Sequence, residues 1–344
     1  MLDKVVELEI PVVQAPMAGV QDADLAIAVC NAGGLGSLAA AMLSPSVLES
    51  ELRRITSATD RPFNVNFFCH AEPPNDPVRQ AAWLRLLEPY YAELGLSQNS
   101  ISQESKRTPF TQEVADVVEP FRPAVVSFHF GLPDRALLDR VRQWGSKVLG
   151  CATTLDEAIW LAAHGVDGII AQGLEAGGHR GMFLSSDVAS QLGTFALVPQ
   201  IQSSVSCPVI AAGGIANATG VASVMSLGAA AAQIGTAYLL CSEAKTSSVH
   251  RAALKREAAR LTALTNVFSG RPARGIVNRL MRDLGYINST VPEFPLASAA
   301  LAPLRAASEA LGRDDFTPLW AGQNVSGCKE TSAAELTREL GACA

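Results

Sequence analysis

The sequence predicts an α/β protein, a (β/α)8 barrel with an inserted segment and a C-terminal helical lid. Short apolar segments alternate with Ala- and Leu-rich stretches of helical spacing, the pattern of βα units around a parallel sheet. Eight such apolar segments occur before about residue 240, the number a closed barrel requires. Polar and glycine-rich turns follow them at one end, where a barrel places its active site. A doubly wound open sheet is the alternative arrangement of the same units.

The strand candidates run in order. Residues 11–17 lead into a turn of small residues, QAPMAG. Residues 34–40 follow a helix candidate over 22–31, which Gly33-Gly34 stops. Phe63–Phe68 alternates Asn64 and Asn66 with apolar residues, and residues 124–130 place His129 between two phenylalanines. Residues 147–153 precede a helix candidate over 154–164, with a threonine cap, acids in its first turn and Gly165 at its end. Gly168–Gln172 enters the turn GLEAGGHRG. Residues 208–212 end in Gly213-Gly214, and residues 231–237 complete the set after a helix candidate over 217–227.

Two regions break the repeat. Residues 70–123 are too long for one crossover. They hold an aromatic, charged helix over 78–94, a polar patch over 97–108 and a helix over 112–119. They read as an insertion after the third strand, mobile around SQNSISQESKRT. Everything after residue 240 reads as helical and Ala/Arg/Glu-rich, broken by SGRPARG, Pro292 and Pro295. The expected division is a barrel of residues 1–70, 123–241 and about 318–344, with a helical substrate lid of 71–122 and 242–317.

Composition narrows the function classes. The 344 residues are 48% hydrophobic and carry net charge −6, an ordinary globular balance without the basic footprint of a nucleic-acid binder. The N-terminal stretch mixes acids among its apolar residues and lacks a signal-peptide layout. The most apolar stretch, 221–240, is interrupted by Gly228, Gln233 and Gly235 and reads as a helix and a strand, not a membrane span. Seven scattered cysteines show no CxxC and no metal-ligand spacing, so free thiols in a cytoplasmic protein and no metal centre are expected.

The turn after Gly168–Gln172 carries the sharpest chemistry. Its glycines let the backbone approach a ligand, and His179 presents an imidazole able to move a proton near neutral pH. A surface loop with an incidental histidine is the plain alternative. Barrels often bind phosphate with the loops after their last two strands and a helix N-terminus, and Gly213, Gly214, Gly235 and Thr236 supply NH groups and a hydroxyl there. No Walker lysine and no GxGxxG after the first strand is present, so a mononucleotide phosphate fits better than a dinucleotide or ATP. Gln14, Asn66, Gln172 and Gln233 are uncharged amides at strand ends, suited to the pyrimidine edge of a flavin.

QAPMAG, NAGGLGS, PFNVNFFCH, VSFHFG, AQGLEAGGHRG, PVIAAGGI, QIGTAYLLC, SGRPARG and LWAGQ occur in this order from Pro11 to Gln323. In them the chain resembles class I nitronate monooxygenases, formerly 2-nitropropane dioxygenases. The resemblance implies a TIM barrel with a helical lid. It also implies FMN as cofactor and oxidation of alkyl nitronates such as propionate-3-nitronate, or of nitroalkanes, with O2 to a carbonyl product and nitrite. It implies His179 as the catalytic base or substrate-positioning residue. Asn66, Gln172, Gly177 and Gly214 match flavin contacts, and the adjoining Gly178 and Gly213 are expected to bind the cofactor with them. Gln233, Ile234, Gly235 and Thr236 match the segment holding the phosphate end. Ala15, Pro16 and Met17 match the loop along the isoalloxazine. A monomer or homodimer is expected. Relatives carry tyrosines and a lysine before WAGQ, whereas PEFPLASAALAPLRAASEALGRDDFTPLW has neither; Arg305 or Arg313 is the replacement cation considered.

The remaining histidines and cations read as follows. His129 is expected as a core or supporting histidine with a possible substrate role, and His70 as a pocket candidate. His164 and His250 are expected on helix surfaces. Glu175 is expected to orient His179 or to sit in solvent, Cys69 and Cys151 to pack, and Arg271 and Arg274 to bind helix ends or carboxylates. Lys245 is expected in solvent. Two readings compete on this scaffold: a flavin reductase of the NADH:quinone or enoyl-acyl-carrier type, and a non-enzymatic flavin-binding barrel. A specialised oxidase of a larger nitro metabolite is a third.

Overall fold

The computed structural model describes residues 5–74, 76–101 and 107–343. Part of the polar patch expected to be mobile, residues 102–106, lies outside the described residues. Eight parallel strands form the central sheet: β1 (Val12–Gln14), β2 (Gly36–Ala39), β3 (Phe63–Phe68), β4 (Val125–His129), β5 (Lys147–Ala152), β6 (Gly168–Gln172), and, after the short β7 (Gly178–His179), β8 (Val209–Ala212) and β9 (Ala231–Ile234). They pair in the order β1-β9-β8-β6-β5-β4-β3-β2. The remaining gap is nearly closed by a parallel bridge from Val13 to Leu35, with Gln14 N donating to Leu35 O at 2.9 Å. The result is a barrel, not an open sheet.

Alternation on the strands explains the two cores. On β3, Phe63, Val65 and Phe67 pack outward against helices, while Asn64 bonds Ser37 Oγ (3.0 Å) and Asn66 bonds Ser127 inside the barrel. The interior is filled by Val13, Leu35, Val125, Leu149, Ile170 and Ile210, with Val5 and Val6 joining the same cluster. Phe63–Phe68 and Gly168–Gln172 have the expected bounds, while the other six strands are shorter than the sequence pattern indicates. The last stops at Ile234 because residues 236–240 coil into a 3-10 turn.

Helices cover the outside. They are α1 (Ala23–Asn31), α2 (Pro45–Ala58), α3 (Pro77–Glu93), α4 (Gln112–Val118), α5 (Arg135–Gln143), α6 (Leu155–Ala163), α7 (Thr194–Gln202) and α8 (Ala218–Ser226). Side-chain caps fix several starts: Asp22 for α1, Thr154 for α6 and Asn217 for α8. Beyond β9 come α9 (Ser248–Leu254), β10 (Thr262–Thr265), β11 (Ala273–Ile276), α10 (Arg279–Leu284), α11 (Ala297–Ala310) and α12 (Ala333–Leu340). The region after residue 240 is therefore not all helix. β10 and β11 form an antiparallel hairpin around SGRPARG.

Two long-range packings complete the molecule. α12 packs against α1 and α8, so the end of the chain supplies the barrel's eighth helix. A second hydrophobic cluster joins Trp83, Leu87, Tyr90 and Tyr91 of α3 to Val267, Phe268, Met281, Leu301, Leu304 and Phe316. Each fully buried Leu or Phe there contributes about 1.5–3 kcal/mol. The insertion and the C-terminal helices thus share one core beside the barrel. No helix among the described residues is long and apolar enough to cross a membrane.

Candidate active site

β6 delivers Gln172 to the carboxyl end of the barrel. Its Nε2 donates to His179 O (3.0 Å) and its Oε1 accepts from Gly181 N (2.8 Å), so one amide staples the glycine-rich turn across its base. Arg180, wholly buried, braces the same turn. Its Nε donates to Gln191 Oε1, and its Nη atoms donate to the carbonyls of Gly173 and Gln172. Burial pushes the Arg180 pKa down to about 10. β11 then pairs with β7, setting Ala273 opposite His179 and Arg274 opposite Gly178.

This fixed turn holds the imidazole in an aromatic chamber. His179 Nε2 lies 2.9 Å from Ser269 Oγ on the β10–β11 loop. The rings of Phe294 and Trp320 lie 5.3 and 5.5 Å away, with Phe68 and Phe130 just beyond. Burial, followed by the charges of Arg107, His129, Arg271 and His70, holds the His179 pKa well below its ordinary value. The imidazole is accordingly neutral at pH 7.

The turn opens onto a cleft over the barrel mouth, enclosing about 1380 Å³ counted to its open side. Ala15, Pro16 and Met17 line it after β1, Gly213 and Gly214 after β8, and Gly235 and Thr236 after β9. Asn66, His129, Gln172, Gly177, Gly178 and His179 line it as well. Gln233 Oε1 is buried there without a hydrogen-bond partner among the described residues, an acceptor suited to a ring N–H. Gly213 and Gly214 have φ of +119° and +73° and turn the chain toward the capped N-terminus of α8. A Cβ at Gly177 would lie 2.5 Å from Gly322 N, so only glycine fits beneath that strand of chain. An unpartnered amide acceptor and glycine loops around one cleft fit a flavin with a phosphate tail.

Several sequence expectations need correction. Ile234 does not line the cleft: it is buried in the barrel wall, and its carbonyl accepts from Ala15 N at 2.8 Å. Gln14 turns away from it, accepting from Ser37 N and donating to Gln21 Oε1, both at 2.9 Å. His129 ends β4 instead of sitting mid-strand, and its Nε2 donates to His179 O (3.2 Å). Burial drives its pKa down to about 3. His70 lies outside the cleft lining, edge-on to Phe294 at 4.8 Å, and its ring hydrogen-bonds the Arg107 backbone. His250 is not at a helix surface but buried at the cleft, and burial lowers its pKa to about 4. His164 is exposed and stacks on Trp160.

The charged residues also settle. Glu175 neither orients His179 nor faces solvent freely; its carboxylate accepts from Thr194 N and Oγ1 at the start of α7. Arg271 donates to Met182 O and lies 4.1 Å over the Phe130 ring, and Arg274 donates to Leu174 O. Both bind backbone carbonyls and not carboxylates. Arg305 pairs with Glu309, and Arg313 with Glu93 and Asp315, on the outer face. Lys245 pairs with Asp22 and Asp24 at the surface. Burial pushes the Cys151 thiol up to about 12 and the Cys69 thiol up strongly, consistent with packing roles.

Sequence reading missed how residues 320–324 act. Ala321 N donates to Arg274 O, Gly322 N to Thr236 Oγ1 (2.9 Å), Gln323 N to Glu175 O (2.9 Å) and Asn324 Nδ2 to Gly214 O (3.0 Å). One strap thereby ties the loops after β6, β8 and β9 to the hairpin. The WAGQ motif was visible, but its partners lie far away in the chain. Arg107, which lines the cleft, gave no signal within a polar patch.

Comparison with known proteins agrees with this geometry. The profile of the nitronate monooxygenase family matches residues 1–342. The chain is 42% identical over 333 residues to a nitronate monooxygenase of Pseudomonas aeruginosa, covering 96% of this chain and 95% of that one. It is 40% identical to a nitronate monooxygenase of Paraburkholderia phytofirmans, covering 96% and 91%. Among solved structures, nitroalkane oxidase from Streptomyces ansochromogenes superposes with a TM-score of 0.89 at 37% identity over 97% and 95% of the two chains. FabK from Thermotoga maritima does so with a TM-score of 0.72 at 25% identity, over 98% and 94%. The shared barrel and the whole-length match lead to one conclusion: this chain belongs to the flavin-dependent nitronate monooxygenase family of enzymes.

Proposed function

We propose that the enzyme oxidises alkyl nitronates, propionate-3-nitronate among them, and nitroalkanes with O2, giving a carbonyl product and nitrite, with FMN in the cleft. The observation that carries this reading is the His179 imidazole, held neutral over a cleft that no Asp or Glu among the described residues lines. Bound FMN would supply the acceptor for substrate electrons and their donor to O2. Gln233 and the Ala15–Met17 turn would hold its ring, and the loops at Gly213-Gly214 and Gly235-Thr236 its phosphate. Gln172 and Asn66 reach the cleft, but their amides also serve the protein: Gln172 the histidine turn, Asn66 Ser127.

A nitronate is already a carbanion equivalent and needs no proton removed. A neutral nitroalkane does, and neutral His179 is the base for that step. Its ordinary pKa is about 6.5. The lowered value weakens it as a base but keeps its lone pair free through the neutral range. The helical unit of 71–122 and 242–317 acts in this reading as the substrate-side lid, with Phe294 and Trp320 excluding water from His179. The enzyme works as a small-molecule oxidase in the cytoplasm, as a monomer or homodimer.

The test begins with the purified protein, which should be yellow and release FMN on denaturation. Oxygen uptake with propionate-3-nitronate and ethyl nitronate should follow. No uptake, together with rapid anaerobic bleaching of the flavin by NADH, would establish a reductase instead.

A further inference from the structure

We propose that Arg107 sets the preference of this enzyme among nitronates, by holding a second negative charge of the substrate away from the reacting nitro group. The proposal rests on the nitronate-oxidising reading above. Among the described residues no Asp or Glu lines the cleft, and Arg107 is the one Lys or Arg that does. Arg305 on α11 and Arg313 just after it lie on the outer face, paired with Glu309 and Glu93, and do not line the cleft. Arg107 comes from the insertion after β3, so the charge belongs to the lid side and not to the barrel.

The side chain is placed. Its Nη1 donates to Ser298 Oγ at 2.9 Å, and its guanidinium lies 5.6 Å from the Phe294 ring centre. The ring of His70 hydrogen-bonds the Arg107 backbone, anchoring the segment from the barrel side. Phe294 in turn lies 5.3 Å from His179. One aromatic ring therefore separates the guanidinium from the imidazole. A nitronate group beside His179 would present a carboxylate two or three carbons away to the planar fork of Arg107, which suits a bidentate carboxylate. Arg107 also heads the charges that lower the His179 pKa, so its field reaches the reacting end of the chamber.

Two substrates of equal carbon length separate this idea from general charge attraction. The measurement is kcat/KM of the holoenzyme for propionate-3-nitronate and for propyl-1-nitronate, which lacks the carboxylate. The wild type should favour the carboxylated substrate at least tenfold. Arg107→Met should cut that ratio about tenfold or more, and Arg107→Lys should keep part of it. Flavin absorbance and the thermal midpoint report whether each variant is folded. A wild-type ratio near one overturns the proposal, as does a ratio unchanged in Arg107→Met or an equal fall for both substrates. A wild type that oxidises neither nitronate fails earlier, at the functional reading, and removes the proposal with it.

Discussion

His179 is neutral because its surroundings are apolar and its charged neighbours are cations. Its lowered pKa keeps the basic lone pair available below about pH 6.5, where a free histidine would begin to protonate. The kcat/KM for neutral nitroethane, corrected for nitroethane ionisation, should therefore show no acid limb centred near 6.5 between pH 8 and 6. A limb at that position would mean the chamber is wetter than its packing implies. Replacement His179→Asn should retain flavin and lower turnover of neutral nitroethane at least about 100-fold, within the usual span of a general base. Nitronate turnover should fall less. Equal loss with both substrates in steady-state assays would assign His179 to binding instead. Gln233 makes a different claim at the same scale. Gln233→Leu removes the unpartnered buried acceptor, so the flavin should dissociate more readily, which ultrafiltration of the yellow protein would reveal.

Among elements, the strap of residues 320–324 and α12 matter most, because each closes the barrel from far along the chain. Gly177→Ala would drive a methyl group against the strap backbone, with Gly322 N at 2.5 Å. That variant should lose flavin affinity and thermal stability together, read as FMN release during a melt; retention of both would show that the strap yields. α12 is held through Tyr238, whose hydroxyl lies 2.8 Å from Thr337 Oγ1, while Thr337 Oγ1 donates to Ala333 O. Thr337→Val leaves a buried phenol without its partner, at a cost of about 1–3 kcal/mol. A urea denaturation midpoint unchanged by Thr337→Val would show that the hydroxyl finds another acceptor.

Taken whole, the molecule holds four histidines, His70 and His250 buried and His129 and His179 half-buried, whose pKa values desolvation sets below the ordinary one. The unfolded chain binds protons at these sites near pH 6.5 while the folded one does not. Their contribution to stability is complete above that pH and is lost as pH falls toward about 4. The thermal midpoint should therefore drop between pH 6.5 and 4 more steeply than the carboxylates explain, and His250→Gln should flatten that drop. The barrel itself was legible in the sequence, because a period of two on strands, a helical period between them and caps such as Asp22, Thr154 and Asn217 are local signals. So was the histidine turn, since its glycines and His179 adjoin a strand end. The β10–β11 hairpin, the burial of His250, the turning away of Gln14 and the cleft position of Arg107 were not. Each depends on a partner far along the chain: β7 for the hairpin, Trp320 for His250, Ser37 for Gln14 and Ser298 for Arg107. The sequence alone determined the scaffold and the chemistry-bearing turn, because both follow from neighbours in the chain. Only the tertiary structure decided which side chains meet in the cleft, because burial and hydrogen-bond partners there come from segments that no local pattern relates.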